Sequence, residues 1–182
     1  MNRIPMNIVA ISGSLRKDSF NTKLLHAFAE LAPEGTTVEV VSLADLPLYN
    51  SELDAAFPPA AQALKDAVNA ADAVILATPE YNRSVSGVLK NAIDWLSRPY
   101  GTNSFAGKPV LVSGVSSGKI GTAVAQSHLK QIMVYLDAKL IGQPELYLGP
   151  AQEIFADDGS LKEDSTKELL QKALDALALR VG

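Results

Sequence analysis

Three continuous apolar runs constrain what this chain can fold into more than any other feature of its sequence. They are Ile8 to Ile11, Val74 to Ala77 and Val110 to Val112. A strand that is apolar at every position must be buried on both faces, which is typical of a parallel sheet covered by helices on both sides. Apolar stripes with a repeat near 3.6 residues separate the runs. The sequence therefore predicts an α/β protein with alternating strands and helices.

Two further strand candidates each carry a charged residue. Glu39 and Lys139 place the second and fifth strands at the sheet edges, where a charged side chain reaches water. This predicts a flavodoxin-like doubly wound sheet of five parallel strands in the order 2-1-3-4-5, with helices on both faces. In that order the ligand meets the turns after strands one, three and four. The predicted strands are Asn7 to Ser12, Thr37 to Ser42, Ala73 to Thr78, Pro109 to Gly114 and Ala138 to Ile141.

The composition limits the kind of partner. A chain of 182 residues that is 47% hydrophobic fits one domain over residues 1–182. No apolar run is long enough for a membrane span and no export signal is readable, which predicts a cytoplasmic protein without a membrane partner. Cysteine is absent, and His26 and His128 stand far apart without acidic clusters, so no metal site is predicted. A net charge of −4 without basic runs argues against nucleic acid and favours a small ligand.

The turn from Ser12 to Asn21 has the composition of an anion site. It opens a predicted helix, whose first N–H groups and positive dipole end attract an anion. Ser14, Ser19 and Asn21 add short donors, and Arg16 adds a fixed charge with fork geometry. The turn lacks the glycine and lysine patterns of dinucleotide and triphosphate loops, which favours a monophosphate. The alternative is that the serine and asparagine side chains only cap the helix.

The other two turns suit a flat ligand. In the turn after strand three, the Tyr81 ring can flank a planar group, while the N–H groups of Tyr81 and Asn82 reach its edge. The turn after strand four has three glycines in eight residues, which lets the backbone lie against such a group. The alternatives are a surface loop closed by a Ser86 cap and a glycine-rich turn closed by a Thr122 cap. Solvation is as good an interpretation of Glu80 and Arg83 as function.

Together these segments resemble the NAD(P)H-dependent FMN reductase family, which includes quinone, azo-dye and chromate reductases. The resemblance extends from the first strand to Pro144. It rests on Gly13-Ser14-Leu15-Arg16 with Ser19 and Asn21, on Thr78-Pro79-Glu80-Tyr81-Asn82 with Ser84 and Gly87, and on Leu89-Lys90-Asn91-Ala92-Ile93-Asp94-Trp95.

The resemblance implies bound FMN, with NAD(P)H as the donor. Hydride would pass through the flavin to quinones or to similar acceptors such as chromate, azo compounds or free flavin, in ping-pong turnover. No catalytic side chain is implied, because the flavin carries the chemistry. The first turn would hold the FMN phosphate, and the other two would line the isoalloxazine ring. The implied cofactor residues are Ser14, Leu15, Arg16, Ser19, Phe20, Asn21, Pro79, Glu80, Tyr81, Asn82, Ser116, Ser117 and Gly118.

The resemblance also implies a homodimer or a homotetramer with flavins at the subunit interface. Trp95, Ile93 and Met133 offer more apolar surface than one sheet face needs, which predicts an interface built partly on the third and fourth helices. Two positions depart from the family pattern. Ser86 stands where the family usually has proline, and Val124 stands where it usually has arginine.

Two other functions stay open on the residues alone. A flavodoxin-like electron carrier would bind FMN and serve protein partners, but such carriers usually have a strongly acidic face and aromatic side chains on both sides of the ring. Here the net charge is only −4, and Tyr81 is the aromatic residue predicted at the ring. A cofactor-free regulatory domain would need carboxylates where strand one ends, and Ser12 and Gly13 stand there. The enzyme is therefore favoured.

Overall fold

A parallel sheet in the order β2-β1-β3-β4-β5 forms the centre of the computed structural model, which describes residues 5–181. This is the order that the sequence predicts, so the flavodoxin-like fold is confirmed. The two charged edge residues, Glu39 and Lys139, are exposed as expected. The strands are β1 Asn7–Ser12, β2 Thr37–Val41, β3 Ala73–Ala77, β4 Pro109–Val115, β5 Lys139–Leu140 and β6 Tyr147–Leu148.

Among residues 5–181, six α-helices surround the sheet. They are α1 Phe20–Leu31, α2 Pro59–Ala70, α3 Gly87–Leu96, α4 Ala123–Tyr135, the short α5 Ala151–Ile154 and α6 Asp164–Val181. One core cluster joins α1 and α6 to the sheet, and a second joins α2, α3 and α4 to it. β3 and β4 are buried at every position, as continuously apolar strands in a two-sided sheet must be. Within residues 5–181, no helix is both long and apolar enough to cross a membrane.

The edge beyond β4 differs from the prediction. A single fifth strand is predicted there, but β5 pairs only with Pro109 and Val110, and β6 pairs with Gly114 and Val115. β6 follows the predicted fifth strand, in a segment for which the sequence predicts no strand. A strand of two residues carries no alternating pattern, which is why the sequence does not reveal it. This strand brings the chain after β5 alongside the third ligand turn.

The connection from Leu43 to Pro59 packs against α3 of its own chain. The Trp95 indole Nε1 donates to the Pro47 carbonyl at 2.8 Å, and the rings of Tyr49 and Phe57 meet the Trp95 ring edge-on, each with centroids 5.0 Å apart. Trp95 is consequently 0% exposed. Ile93 and Met133 are buried as well, so the prediction that these three side chains offer an interface surface is wrong.

A buried lysine fixes the segment after α3. The Lys65 ammonium donates to the Thr102 carbonyl at 2.6 Å and to the Ser104 hydroxyl at 3.3 Å. Burial lowers the pKa of the Lys65 ammonium, and the charge of nearby Asp66 opposes that shift. The contact orders a segment that includes the exposed Tyr100.

Candidate active site

The three predicted ligand turns meet around one cavity at the carboxyl edge of the sheet. Ser12 pairs with Ala77 and Ala77 pairs with Ser113, so the turns begin at the same level. Of the predicted cofactor residues, all but Leu15, Asn82 and Gly118 line this cavity. Its lining residues are Ser14, Arg16, Ser19, Phe20, Asn21, Pro79, Glu80, Tyr81, Val115, Ser116 and Ser117.

The serine side chains of the first turn accept local N–H groups and keep their own protons available. Ser19 is the N-cap of α1, because its hydroxyl oxygen accepts from Thr22 N at 3.3 Å. The Ser14 oxygen accepts from Arg16 N at 3.3 Å. Capping and ligand binding are therefore compatible here, since each hydroxyl can still donate one hydrogen bond into the cavity.

The first turn also contributes a cationic group and N–H groups that have no hydrogen-bond acceptor or acidic partner among the described residues. Within residues 5–181 the Arg16 guanidinium has no acidic partner, and the N–H groups of Phe20 and Asn21 have no protein acceptor. These N–H groups belong to the first turn of α1, where the helix dipole favours negative charge. A fork-shaped cation, hydroxyl protons and helix N–H groups in one turn form a donor set that suits a phosphate.

Asn21 and Phe20 have structural contacts that the sequence did not predict. The Asn21 amide donates to the Val115 carbonyl at 3.0 Å and accepts from Val115 N at 3.1 Å, which ties α1 to the end of β4. The Phe20 ring stacks on Phe155 with centroids 6.2 Å apart. Leu15 lies on the far side of the turn, where it lines a separate cavity next to β2.

Ser86 joins the first turn to the second. Its hydroxyl donates to the Gly13 carbonyl at 2.6 Å and caps α3 by accepting from Leu89 N. A Cβ atom at Gly13 would lie 2.9 Å from Ser86 Oγ and 3.0 Å from Pro79 Cδ, so only glycine allows the two turns to approach this closely. Where the family usually has proline, Ser86 thus fixes the turn by hydrogen bonding.

The second turn is a tight reversal at Asn82 and Arg83. Tyr81 N donates to the Ser84 carbonyl at 3.1 Å and Ser84 N donates to the Tyr81 carbonyl at 3.0 Å. The two central residues have φ of 50° and 61°, values that asparagine tolerates better than arginine. The expectation that Tyr81 N–H is free for a ligand is therefore wrong. Asn82 N–H has no acceptor among the described residues, and the Tyr81 side chain stays half exposed.

Glu80 reaches from the second turn to α4. Its carboxylate accepts from Val124 N and from Ala125 N, both at 3.1 Å, and from the Arg83 guanidinium at 3.2 Å. Thr122, the alternative cap at this helix, has φ of 63° and makes no side-chain cap bond. Of the alternatives that the sequence leaves open, the structure therefore contradicts both a solvated Glu80 and a Thr122 side-chain cap.

The glycines of the third turn have two roles. At Gly114 a side chain would overlap Thr122 and the Thr78 carbonyl, and at Gly121 it would overlap the backbone of Tyr147 in β6. Only at Gly118 does a Cβ atom meet nothing within 4 Å. Close packing of the protein therefore accounts for Gly114 and Gly121, whereas nothing in the packing requires glycine at position 118.

Both histidines lie on helix surfaces, as predicted. His128 Nδ1 lies 3.1 Å from the Ser84 hydroxyl, a second contact between the second turn and α4 that the sequence did not reveal. Within residues 5–181, no group of three or more histidine or acidic side chains is arranged to hold a metal ion.

The cavity fits FMN in the chemistry of its donors. The first turn contributes guanidinium, hydroxyl and N–H donors, which suit a phosphate ester. The other two turns contribute Pro79, Tyr81, Ser116 and Ser117, a combination of one apolar ring, one aromatic ring and small side chains that suits a planar group.

Comparison with known proteins identifies the family of the chain. The NADPH-dependent FMN reductase family matches residues 6–153. A 2-hydroxy-1,4-benzoquinone reductase from a Burkholderia species is 44% identical over 95% of this chain and 94% of its own length. An NAD(P)H-dependent FMN reductase of Pseudomonas aeruginosa is 45% identical over 97% of this chain and 95% of its own length. The solved structure of the flavoenzyme NAD(P)H:(acceptor) oxidoreductase from Paracoccus denitrificans has 41% identity, covers 97% of both chains and superimposes with a TM-score of 0.89.

The chain therefore belongs to the NADPH-dependent FMN reductase family. It is an oxidoreductase whose family cofactor is FMN and whose family donor is NAD(P)H.

Proposed function

We propose that this single domain, residues 1–182, binds FMN at the three turns and reduces quinones with NAD(P)H. The observation that carries the proposal is the Arg16 guanidinium, which has no acidic partner within residues 5–181 and lines, together with hydroxyl and helix N–H donors, the cavity that the other two turns also line. The names of the relatives, which include quinone reductases from Pseudomonas putida and Escherichia coli, support the choice of acceptor.

Each turn has a distinct part in this proposal. FMN, when bound, accepts two electrons and a proton from reduced nicotinamide and returns them to an acceptor. Ser14, Arg16 and Ser19 bind the phosphate, while the hydrogen bonds of the Asn21 amide hold the turn against the end of β4. Pro79 to Tyr81 and Ser116 with Ser117 orient the ring. The Asn82 N–H is the donor of the second turn that is available at the ring edge. No side chain is assigned as an acid or a base.

Ping-pong kinetics are expected, because one side of the ring rests on the protein and the donor and acceptor must share the other side. Double-reciprocal plots of the initial rate against NAD(P)H at several fixed quinone concentrations should be parallel. Excess quinone should inhibit competitively against NAD(P)H. Intersecting lines would mean that donor and acceptor bind together, and would reject the shared surface.

We further propose that two chains associate through α3 and α4. A groove between these helices is lined in part by Ser84, Val85 and His128, so it continues directly from the second ligand turn. Tyr100 and Tyr135, at its border, are 91% and 83% exposed. Large exposed aromatic side chains around a groove are typical of an interface. A dimer of this kind would place the partner next to each FMN site.

The Tyr135→Asp variant tests the dimer without touching the core. The wild-type protein should sediment as a dimer, or as a tetramer of such dimers, and the variant should sediment as a folded monomer with weaker FMN retention. The exposed side chain is expected to contribute within about 0.5 kcal/mol to the stability of the single chain. A wild-type monomer at micromolar concentration would reject the interface, as would an unaltered assembly in the variant.

The electron-carrier alternative is not favoured, because the curated relatives are named as reductases. The proposed compartment is the cytoplasm, where NAD(P)H is supplied.

A further inference from the structure

Helix α4 begins without a cap of its own. Thr122 occupies the N-cap position in a left-handed conformation, with φ of 63°, and its hydroxyl makes no cap hydrogen bond. That hydroxyl accepts instead from the Gln126 side chain at 3.0 Å. The first N–H groups of a helix are costly to leave without an acceptor in a buried position. The helix therefore needs an acceptor from elsewhere in the chain.

Glu80 supplies that acceptor from 44 residues away. One oxygen of its carboxylate accepts from both Val124 N and Ala125 N at 3.1 Å. The side chain is only 10% exposed, and its other oxygen holds the guanidinium of Arg83, which is 65% exposed. A carboxylate at the positive end of a helix is favoured both by hydrogen bonding and by the helix dipole.

These bonds join two of the three ligand turns. Glu80 lies in the second turn and lines the cavity, while α4 follows directly on the third turn, whose Ser116 and Ser117 line the same cavity. β3 and β4 pair only as far as Ala77 and Ser113, so the strands fix the turns at their beginnings but not beyond. The Glu80 carboxylate fixes their far ends, aided by the contact between Ser84 and His128.

We propose that Glu80 is a positioning residue, which presets the spacing between the second and third turns before FMN binds. This inference rests on the FMN site proposed above. Because the carboxylate is occupied by α4, Glu80 acts on FMN through the turns and not by direct contact. The capping bonds need an oxygen acceptor, which glutamine also provides and alanine does not.

The experiment compares Glu80→Ala with Glu80→Gln, and uses Arg83→Ala to separate the exposed ion pair from the buried cap. In FMN-free protein, amide exchange at Val124 and Ala125 should accelerate in Glu80→Ala and stay near the wild-type rate in the other two variants. FMN affinity should fall about fivefold in Glu80→Ala, in line with the loss of a helix cap. It should change less than about twofold in Glu80→Gln and Arg83→Ala, which keep the cap.

Two results would overturn the positioning role. One is weaker FMN binding in Glu80→Ala without faster exchange, which would indicate direct contact with the cofactor. The other is faster exchange with unchanged FMN affinity, which would make the cap purely structural. Arg16→Ala serves as the reference for the site itself. If it too leaves FMN affinity unchanged, the proposed FMN site fails, whereas an Arg16 effect without a Glu80 effect rejects the positioning role alone.

Discussion

Replacing Trp95 by alanine is expected to lower the free energy of unfolding by about 3–5 kcal/mol, the range found for large aromatic residues in protein cores. Trp95 is fully buried in the single chain, beneath the connection that follows β2. The variant would lose the hydrogen bond to Pro47 and the ring contacts with Tyr49 and Phe57 together. It would also leave a cavity between that connection and α3. Denaturant unfolding of the FMN-free protein measures this loss.

Two variants calibrate this result. Trp95→Phe keeps most of the ring packing and removes the indole N–H, so it should cost about 1 kcal/mol for the lost hydrogen bond plus a smaller packing loss. Tyr135→Ala removes an aromatic side chain that is 83% exposed and should change stability by less than about 0.5 kcal/mol. An alanine variant at Trp95 that is as stable as the wild type but no longer dimeric would restore the interface role predicted from the sequence.

Replacing Arg16 by alanine is expected to weaken FMN binding roughly tenfold to a hundredfold, because a hydrogen bond to a charged group contributes about 1.5–3 kcal/mol. The guanidinium has no acidic partner within residues 5–181 and lines the cavity together with Ser14 and Ser19. Its removal leaves neutral donors only. Titration of FMN into the apo protein, followed by quenching of flavin fluorescence, measures the change.

Lys17→Ala is the matched control for Arg16→Ala. Lys17 is the next residue along the same turn, is exposed and carries the same charge, but it does not line the cavity. A general effect of charge would weaken FMN binding equally in both variants. A contact with the phosphate would weaken it in Arg16→Ala alone. Equal effects in the two variants, or none in either, would contradict the proposed role of Arg16.

The sheet and the position of the site could be predicted because their signals lie within short stretches of sequence. The apolar runs of β1, β3 and β4 have a length and continuity that only strands buried on both faces need. The charge of Glu39 then identified an edge, and the strand order followed. The strand order determines which turns lie together at the carboxyl edge of the sheet. The three polar turns could therefore be assigned to one cavity from the sequence.

Contacts between distant segments could not be predicted, because the sequence of one segment does not show which other segment it will pack against. The sequence around Glu80 is as consistent with a solvated side chain as with a functional one. Only the fold shows that the N-terminus of α4 lies within hydrogen-bonding distance of the Glu80 carboxylate. Asn21 was expected to bind phosphate, yet its amide bridges to Val115. Trp95 suggested an interface because the sequence does not show that the connection after β2 folds back over α3.

Part of the family motif on α3 is explained by the same fold-back. The Asn91 amide accepts from Tyr49 N at 2.7 Å and donates to the Pro47 carbonyl at 2.9 Å. Asn91 and Trp95 lie one helical turn apart on the same face, so both hold one connection in place. These two motif residues therefore serve the structure, and the proposed cofactor contacts lie on the turns.

The most direct test of the central claim is the visible spectrum of the FMN-loaded, desalted protein during anaerobic addition of NAD(P)H and then of a benzoquinone. The flavin absorbance is predicted to stay with the protein, to bleach when the nicotinamide is added and to return when the quinone follows. A protein that is colourless after loading and desalting would contradict the proposed FMN site. A bound flavin that neither NADPH nor NADH bleaches would contradict the proposed reductase activity.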